Sequence, residues 1–151
     1  MYWVEPEVTE VEVRMSNYHV PVMLKECLEG LNINPKGTYV DVTYGGGGHS
    51  RAILDALDQD GTLIVFDQDT DALRNNIEDK RLLFCEANFR YLENFCSYHN
   101  VGQLDGLLAD LGVSSYHLDE RSRGFSFRFG ESDLDMRMNT ESEISAKQVL
   151  N

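Results

Sequence analysis

Apolar residues along this chain form short continuous runs, and these runs alternate with stretches in which apolar positions recur at every third or fourth residue. Continuous apolar runs are typical of strands buried on both faces, and the second spacing is typical of amphipathic helices. Strands that alternate with helices favour an α/β fold, a doubly wound parallel sheet with right-handed crossovers and helices on both faces. The pattern predicts strands over residues 39–42, 62–66, 82–85 and 104–109, and helices over residues 21–31, 50–57, 70–78 and 89–98.

The alternation stops at Asp110. Residues 111–137 are rich in Gly, Ser, Asp, Arg and Phe and have no clean period, which predicts an ordered functional loop. Residues 140–143 read Thr-Glu-Ser-Glu, a capping-box pattern that predicts a helix from there to the end of the chain. Residues 1–17 show no firm element and are predicted to be a flexible appendage. Because four strands are few for a doubly wound domain, we expect the sequence to be the N-terminal part of a longer protein.

The composition, with 42% hydrophobic and 26% charged residues, is that of an ordinary soluble globular domain, and no apolar run has the length of a membrane span. Residues 1–17 lack the apolar core and basic start of a secretory signal, so we expect a cytoplasmic protein. The formal net charge of −13 argues against binding nucleic acid by bulk electrostatics, so such a contact needs a local patch. The cysteines and histidines are not spaced as metal ligands, so no metal site is predicted.

Residues 39–50 predict a ligand-binding turn, because an apolar strand leads into four consecutive glycines at 45–48 and then into a helix. Glycine admits positive φ and lets a ligand approach the backbone, and the start of a helix presents free N–H groups. A dinucleotide fingerprint requires a third glycine where this chain has Ser50, which disfavours that class. Asp41, four positions before Gly45, is instead typical of S-adenosylmethionine methyltransferases. A tight turn without a ligand is the alternative, although four glycines are costly in chain entropy.

Two further acidic residues are predicted to lie at the same edge of the sheet as this turn. Asp67 ends the second strand, where a carboxylate can accept hydrogen bonds from ribose hydroxyls. Asp110 ends the fourth strand, where it can reach the cofactor or orient an incoming amine. Phe89 follows the third strand and can flank an adenine ring, with core packing as an equal alternative. Asp69 and Asp71 are interpreted as a solvated helix start.

Residues 121–129 interleave arginines with phenylalanines. Such a pattern suits single-stranded nucleic acid, because guanidinium groups contact phosphates and aromatic rings stack on bases. The alternative is a loop whose phenylalanines pack into the core, and we expect at least one of the three to do so. The candidate RNA-binding residues are Arg121, Arg123, Phe125, Phe127 and Arg128.

Five motifs in order along the chain carry a specific resemblance. They are His-Val-Pro-Val-Met-Leu at 19–24, Asp-Val-Thr-Tyr-Gly-Gly-Gly-Gly-His-Ser at 41–50, Asp-Leu-Gly-Val-Ser-Ser at 110–115, Arg-Gly-Phe-Ser-Phe at 123–127 and Leu-Asp-Met-Arg-Met at 134–138. Together they closely resemble the bacterial MraW-type methyltransferases, which modify N4 of a cytosine in small-subunit (16S) ribosomal RNA. The similarity extends over residues 18–151.

This resemblance implies a Rossmann-like class I methyltransferase that uses S-adenosylmethionine and carries a helical substrate-recognition insertion. The implied domains are a flexible appendage at 1–17, a cofactor-binding portion at 18–138 and the start of the insertion at 139–151, so the fold is truncated before most of the insertion and the last strands. The implied partner is small-subunit ribosomal RNA. With the first glycine of the loop included, the expected cofactor contacts are Gly45, Gly47, Gly48, His49, Asp67, Phe89, Asp110 and His117.

The expected reaction is a direct in-line methyl transfer without a metal or a covalent intermediate, in which Asp110 orients either the amine or the methionine end of the cofactor. The chain departs from the family at His117, which stands where the family has a glutamine, and at Tyr116 and Asp133. We expect the longer protein to be active and this chain alone to be weakly active or inactive. Two rival hypotheses are a methyltransferase for a protein or small molecule, and a non-catalytic fragment.

Overall fold

The computed structural model of this chain describes residues 21–150. The predicted appendage at residues 1–17 and His19 of the first motif lie outside the described residues. In chain order, the elements are α1 (Leu24–Leu31), β1 (Thr38–Asp41), α2 (Gly48–Ala56), β2 (Thr62–Asp67), a 3-10 helix (Thr70–Asn75), β3 (Leu82–Glu86), a 3-10 helix (Phe89–Tyr91), α3 (Leu92–Tyr98), β4 (Gly106–Leu108), α4 (Ser115–Asp119), a 3-10 helix (Arg121–Arg123) and α5 (Ala146–Leu150).

The strands form one parallel sheet in the spatial order β3-β2-β1-β4. Val40 of the central strand lies beside Ile64 of β2 on one side and beside Leu107 of β4 on the other. Because all the strands are parallel, the polar residues that follow their carboxyl ends meet at one edge of the sheet. This topology confirms the predicted doubly wound α/β fold.

The two central strands, β1 and β2, are buried on both faces, and alternate residues of each strand point to opposite sides. The edge strand β4 is less covered, since Leu107 is 47% exposed. On β2, Leu63 and Val65 pack into one apolar cluster with Ile53 of α2. Ile64 and Phe66 pack into a second cluster, against the side of the sheet that α3 covers. Helices therefore cover both faces, as the sequence pattern predicts.

Three predicted helices differ from the structure in extent or kind. The first begins at Leu24 rather than at Pro21, because Met23 has a φ of 55°, a left-handed conformation that ends a right-handed helix. The helix predicted over 70–78 is wrong in kind, because this stretch forms only the short 3-10 helix Thr70–Asn75. The helix predicted over 89–98 divides into a 3-10 turn and α3. The segment Phe89–Tyr91 has the usual length of a 3-10 connector, whereas Thr70–Asn75 is longer than most.

The helix predicted from residues 140–143 towards the end of the chain exists as α5, but its predicted start is wrong, because α5 begins at Ala146. The backbone N–H of Ser145 donates to Gln148 Oε1 at 2.8 Å, and the Ser145 hydroxyl lies 3.1 Å from the same oxygen. Ser145 and Gln148 therefore form the capping pair at the start of α5. Residues 139–142 instead form a turn, in which Asn139 Oδ1 accepts the N–H of Glu141. Two similar capping patterns lie close together here, and the structure uses the second.

The segment between β4 and α5 combines irregular backbone with α4 and a 3-10 helix, which agrees with the expected order of this loop; its function stays a prediction. Within residues 21–150, no helix combines the length and the apolar character that crossing a bilayer requires.

The contribution of the core is testable at Ile53, which is fully buried between α2 and the sheet. Replacing Ile53 with Ala should lower the free energy of unfolding by about 2–5 kcal/mol, because it removes buried methyl groups and leaves a cavity. Urea titration followed by circular dichroism measures this change. Val149→Ala, at a side chain that is 73% exposed, is the control and should shift stability by less than about 0.5 kcal/mol. Equal effects of the two variants would contradict the described core.

Candidate functional site

Asp41 ends β1 inside the protein and is fully buried. Ser50 Oγ donates to its Oδ2 at 2.6 Å, and Thr43 approaches its Oδ1 with the backbone N–H at 3.0 Å and the hydroxyl at 3.2 Å. Burial raises the pKa of the Asp41 carboxyl, and the bonds from Ser50 and Thr43 oppose this rise. The carboxylate therefore joins the strand to the start of α2 across the glycine loop.

The glycine loop needs its glycines for two reasons. Gly45 and Gly47 have φ values of 50° and 73°, which side-chain-bearing residues rarely adopt. A side chain at Gly48 would collide with the ring of Pro21, because that ring already occupies the space beside the Gly48 Cα. A Cβ at Gly46 would meet no atom within 4 Å, so the loop is open there to an approaching ligand.

Asp67 is half-buried at the end of β2 and connects two turns. Its Oδ2 accepts the Gly45 N–H at 2.8 Å, and its Oδ1 accepts the N–H of Asp69, also at 2.8 Å. The structure thus brings Gly45 and Asp67 together, and each carboxylate oxygen keeps acceptor capacity for a ligand hydroxyl. Asn75 closes the other side of the loop by donating its Nδ2 to the Gly45 carbonyl at 3.1 Å.

His49 lies in the first turn of α2 and is buried. Its Nε2 is 3.2 Å from the carbonyl oxygen of Val22, so the imidazole holds the segment before α1 against the glycine loop. A cofactor contact by His49 stays a prediction.

Phe89 follows β3 and is 42% exposed at the edge that carries Asp67. The side chain of Asn88 donates to Gln68 Oε1 at 2.8 Å, which ties the end of β3 to the end of β2. A cavity of about 330 Å³ lies there, with Gln68, Ala87 and Asn88 among its lining residues. Phe89 is not among the residues that line this cavity, and its exposure disfavours core packing. A cofactor contact by Phe89 stays a prediction.

A buried cluster of charged side chains joins the end of β2 to the loop after β4. The carboxylate of Asp69 accepts from His117 Nε2 at 2.7 Å and from Arg123 Nη1 at 2.8 Å, both on Oδ2. Arg123 also donates to Asp71 and, through Nη2, to the carbonyl oxygens of Arg137 and Met138. The cluster therefore fixes α4, the following 3-10 helix and residues 137–138 against β2.

The hydrogen bonds in this cluster also indicate which ring nitrogen of His117 carries the proton. The backbone N–H of Ser114 donates to Nδ1 at 3.1 Å, so Nδ1 carries no proton and Nε2–H is the donor to Asp69. Burial alone would raise the pKa of the Asp69 carboxyl, but the bonds from His117, the Asp71 N–H and Arg123 outweigh it and hold this pKa below its usual range.

The cluster corrects two interpretations drawn from the sequence. Asp69 is 5% exposed and accepts hydrogen bonds from His117 and Arg123, so the helix start that it caps is buried and not solvated. Arg123 is also 5% exposed, and its guanidinium is taken up by two carboxylates and two carbonyls, so it is not available as an RNA contact. The imidazole of His117 has both ring nitrogens bonded within the protein, so any cofactor contact by His117 must use other atoms.

The other candidate RNA-binding residues lie farther out. Arg121 is exposed, and Arg128 is exposed in a surface pair with Asp119 at 3.0 Å. Phe127 is fully exposed, whereas Phe125 is half-buried with its ring 5.1 Å from the ring of His117. We expected at least one of the three phenylalanines to pack into the core; Phe125 turns inward against His117 but belongs to neither apolar cluster of the core.

Asp110 follows β4 and is exposed at the same edge of the sheet. Its backbone N–H donates to Thr43 Oγ1 at 2.8 Å, a contact between residues 67 positions apart in sequence. Sequence reasoning missed Thr43 as a site residue, and the only available signal was its place between Asp41 and the glycines. Within residues 21–150, no group of His, Cys, Asp and Glu side chains is arranged to hold a metal ion.

A parallel sheet in the order 3-2-1-4, with a glycine loop after β1 and an acidic residue at the end of β2, defines the chain as a Rossmann-like class I methyltransferase fold. Comparison with protein families gives the more specific assignment. The profile of the MraW methylase family matches residues 16–151, and the chain belongs to this family.

The similar curated proteins are named ribosomal RNA small subunit methyltransferase H. The protein of Bacteroides fragilis is 57% identical over 136 residues, and that of Porphyromonas gingivalis is 59% identical over 136 residues; each alignment covers 90% of this chain and 44% of the relative. The protein of Parabacteroides distasonis is 58% identical over 142 residues, with 93% and 46% covered. The chain thus spans less than half the length of these relatives.

The charged cluster predicts a pH-dependent effect of Asp69→Asn. At pH 7 this variant should lose about 3 kcal/mol of stability, because Arg123 stays buried while Asp69, the more buried of its two carboxylate partners, is neutralised. The folded-state pKa of Asp69 is below the unfolded value of 3.8, so its contribution is complete above that value and is lost as the pH falls through the folded pKa. The difference from wild type, measured by urea unfolding at several pH values, should therefore shrink below about pH 4.

Asp79→Asn is the matched control, because it breaks a carboxylate–arginine pair with Arg81 that is more exposed and lies away from the cluster. It should destabilise the chain less than Asp69→Asn at pH 7. A stability loss for Asp69→Asn that is the same at pH 7 and pH 3 would contradict the described ion pairs.

Proposed function

We propose that this chain is the cofactor-binding portion of an enzyme that transfers a methyl group from S-adenosylmethionine to the N4 amine of a cytosine in small-subunit (16S) ribosomal RNA. The observation that carries the proposal is the bond between Asp67 and Gly45 under a glycine loop that is open at Gly46. In this proposal residues 18–138 form the cofactor-binding portion, and residues 139–151 begin the substrate-recognition insertion.

The residues present fit S-adenosylmethionine. The open backbone at Gly46 admits the amino-acid part of the cofactor, with Gly47 and Gly48 alongside at the start of α2. Asp67 has lone pairs free to accept both ribose hydroxyls. Phe89 and the cavity beside Asn88 offer a surface for the adenine ring.

The cofactor, when bound, supplies a methyl group that is attached to a positively charged sulfur, and this sulfur becomes the neutral thioether of the leaving group. The protein's task is orientation, because the lone pair of an exocyclic cytosine amine is delocalised into the ring. The Asp110 carboxylate can accept a hydrogen bond from the amine and hold it towards the loop, or it can hold the methionine end of the cofactor. No metal is needed, since the leaving group departs without charge.

The names of the relatives support RNA as the substrate, and the exposed surface supports how it is bound. Arg121 and Arg128 are exposed cations in the same stretch of sequence as Phe127, although Arg128 also pairs with Asp119, and the fully exposed ring of Phe127 can stack on a base. Because the net charge is −13, this local surface has to act against repulsion between the rest of the protein and RNA phosphates. We further propose that the enzyme acts on the small ribosomal subunit in the cytoplasm, and that the longer protein supplies most of the RNA affinity.

Cofactor binding is testable at Asp67. Replacing Asp67 with Asn should weaken S-adenosylmethionine binding by about tenfold or more, because hydrogen bonds to a charged acceptor contribute about 1.5–3 kcal/mol. Isothermal titration calorimetry on the folded chain measures the affinity. Asp60→Asn is the control, since Asp60 pairs with Lys36 at the opposite edge of the sheet. A folded wild-type chain that binds no cofactor would contradict the proposal.

RNA binding is testable at Phe127. Because this ring is fully exposed, Phe127→Ala should leave the melting temperature unchanged and reduce affinity for single-stranded RNA by roughly tenfold, the contribution of about one stacked base. Fluorescence anisotropy with a labelled RNA measures the change. Tyr98→Ala removes another exposed ring, at the end of α3, and should have no effect. Equal affinities for the wild type and Phe127→Ala would contradict the proposed stacking role of Phe127.

A further inference from the structure

Thr43 lies between a buried carboxylate and the backbone of Asp110. The Asp110 N–H donates to Thr43 Oγ1 at 2.8 Å, and the same oxygen is 3.2 Å from Asp41 Oδ1. The backbone N–H of Thr43 donates to that carboxylate oxygen as well, at 3.0 Å. A three-residue chain of hydrogen bonds therefore runs from the end of β1 to the residue beyond β4.

The direction of these bonds is determined by chemistry. A backbone N–H can only donate, so the Thr43 hydroxyl must accept from Asp110. Its own proton is then donated to the Asp41 carboxylate, whose Oδ1 lies 3.2 Å away. A hydroxyl that donates to a carboxylate becomes a better acceptor for a second donor, so the two bonds strengthen each other.

This contact is needed because the sheet stops short of Asp110. The last paired residues of β1 and β4 are Asp41 and Leu108, and the Val42 N–H donates to the Leu108 carbonyl at 3.0 Å. Asp110 lies two residues farther on and is exposed, so neither the strand ladder nor core packing sets its position. The Thr43 hydroxyl supplies the missing attachment point.

We propose that Thr43 is a positioning residue of the methyltransferase site, acting through its hydroxyl to hold Asp110 at the edge where cofactor and amine meet. This inference rests on the proposed function for the role of Asp110, while the hydrogen bond itself is independent of any ligand. Asp41 acts behind Thr43, because its second oxygen is fixed by Ser50 at the start of α2.

The test compares Thr43→Val, which keeps the shape and removes the hydroxyl, with Thr43→Ser, which keeps the hydroxyl. In Thr43→Val the Asp110 amide should exchange with deuterium at least about tenfold faster than in wild type, measured by NMR, and S-adenosylmethionine affinity should fall by about tenfold in calorimetry. Thr43→Ser should recover most of both losses. Thr62→Val, at the opposite end of the sheet, is the matched control and should change neither quantity.

Each outcome decides the proposal. Unchanged Asp110 exchange in Thr43→Val, or equal losses in Thr43→Ser and Thr43→Val, would overturn it, because the hydroxyl would then not be the active group. If Thr43→Val does not fold, the wild-type measurement suffices, since an Asp110 amide that exchanges as fast as an unprotected peptide would also overturn the inference. A wild-type chain that protects this amide but binds no cofactor would contradict the proposed function and leave the hydrogen bond standing.

Discussion

The structure depends on the need to satisfy one carboxylate that is buried at the centre of the sheet. Asp41 is fully buried, and a charge in that position is costly unless several donors surround it. Two of its donors come from Thr43, and the third comes from Ser50 on the far side of the glycine loop. The loop must therefore turn back tightly so that α2 starts directly beyond β1, and positive φ values at Gly45 and Gly47 allow this path.

The same principle is repeated one strand away. Asp67 holds the glycine loop through Gly45, and Asp69 holds the loop after β4 through His117 and Arg123. Because the N–H of Asp69 is itself bonded to Asp67, these carboxylates form a continuous polar connection between the proposed cofactor and RNA sides. Acidic side chains thus organise an edge that, in the proposed function, receives a positively charged cofactor and keeps RNA phosphates at its periphery.

The positions of the strands were predictable from the sequence, because a strand that is buried on both faces leaves an uninterrupted apolar run, such as that from Leu63 to Phe66. The short helices were less predictable. The 3-10 helix Thr70–Asn75 is too short for a clear helical period, and its start is held by Asp69, whose side chain accepts the N–H of Asp71. Two nearby capping patterns competed for the start of α5, and local sequence does not distinguish them.

By itself, the sequence determined the α/β class, the glycine loop, the acidic strand ends and the family resemblance, because these depend on periodicity and on short ordered motifs. Tertiary structure alone decided how the polar side chains are used. Arg123 has the appearance of an RNA contact in its motif but is bonded to Asp69, 54 residues away. Thr43 is inconspicuous in sequence but bonds to Asp110, 67 residues away. The physical reason is that hydrogen-bond partners are selected by which strand ends the parallel sheet brings together, and spacing along the chain does not contain that information.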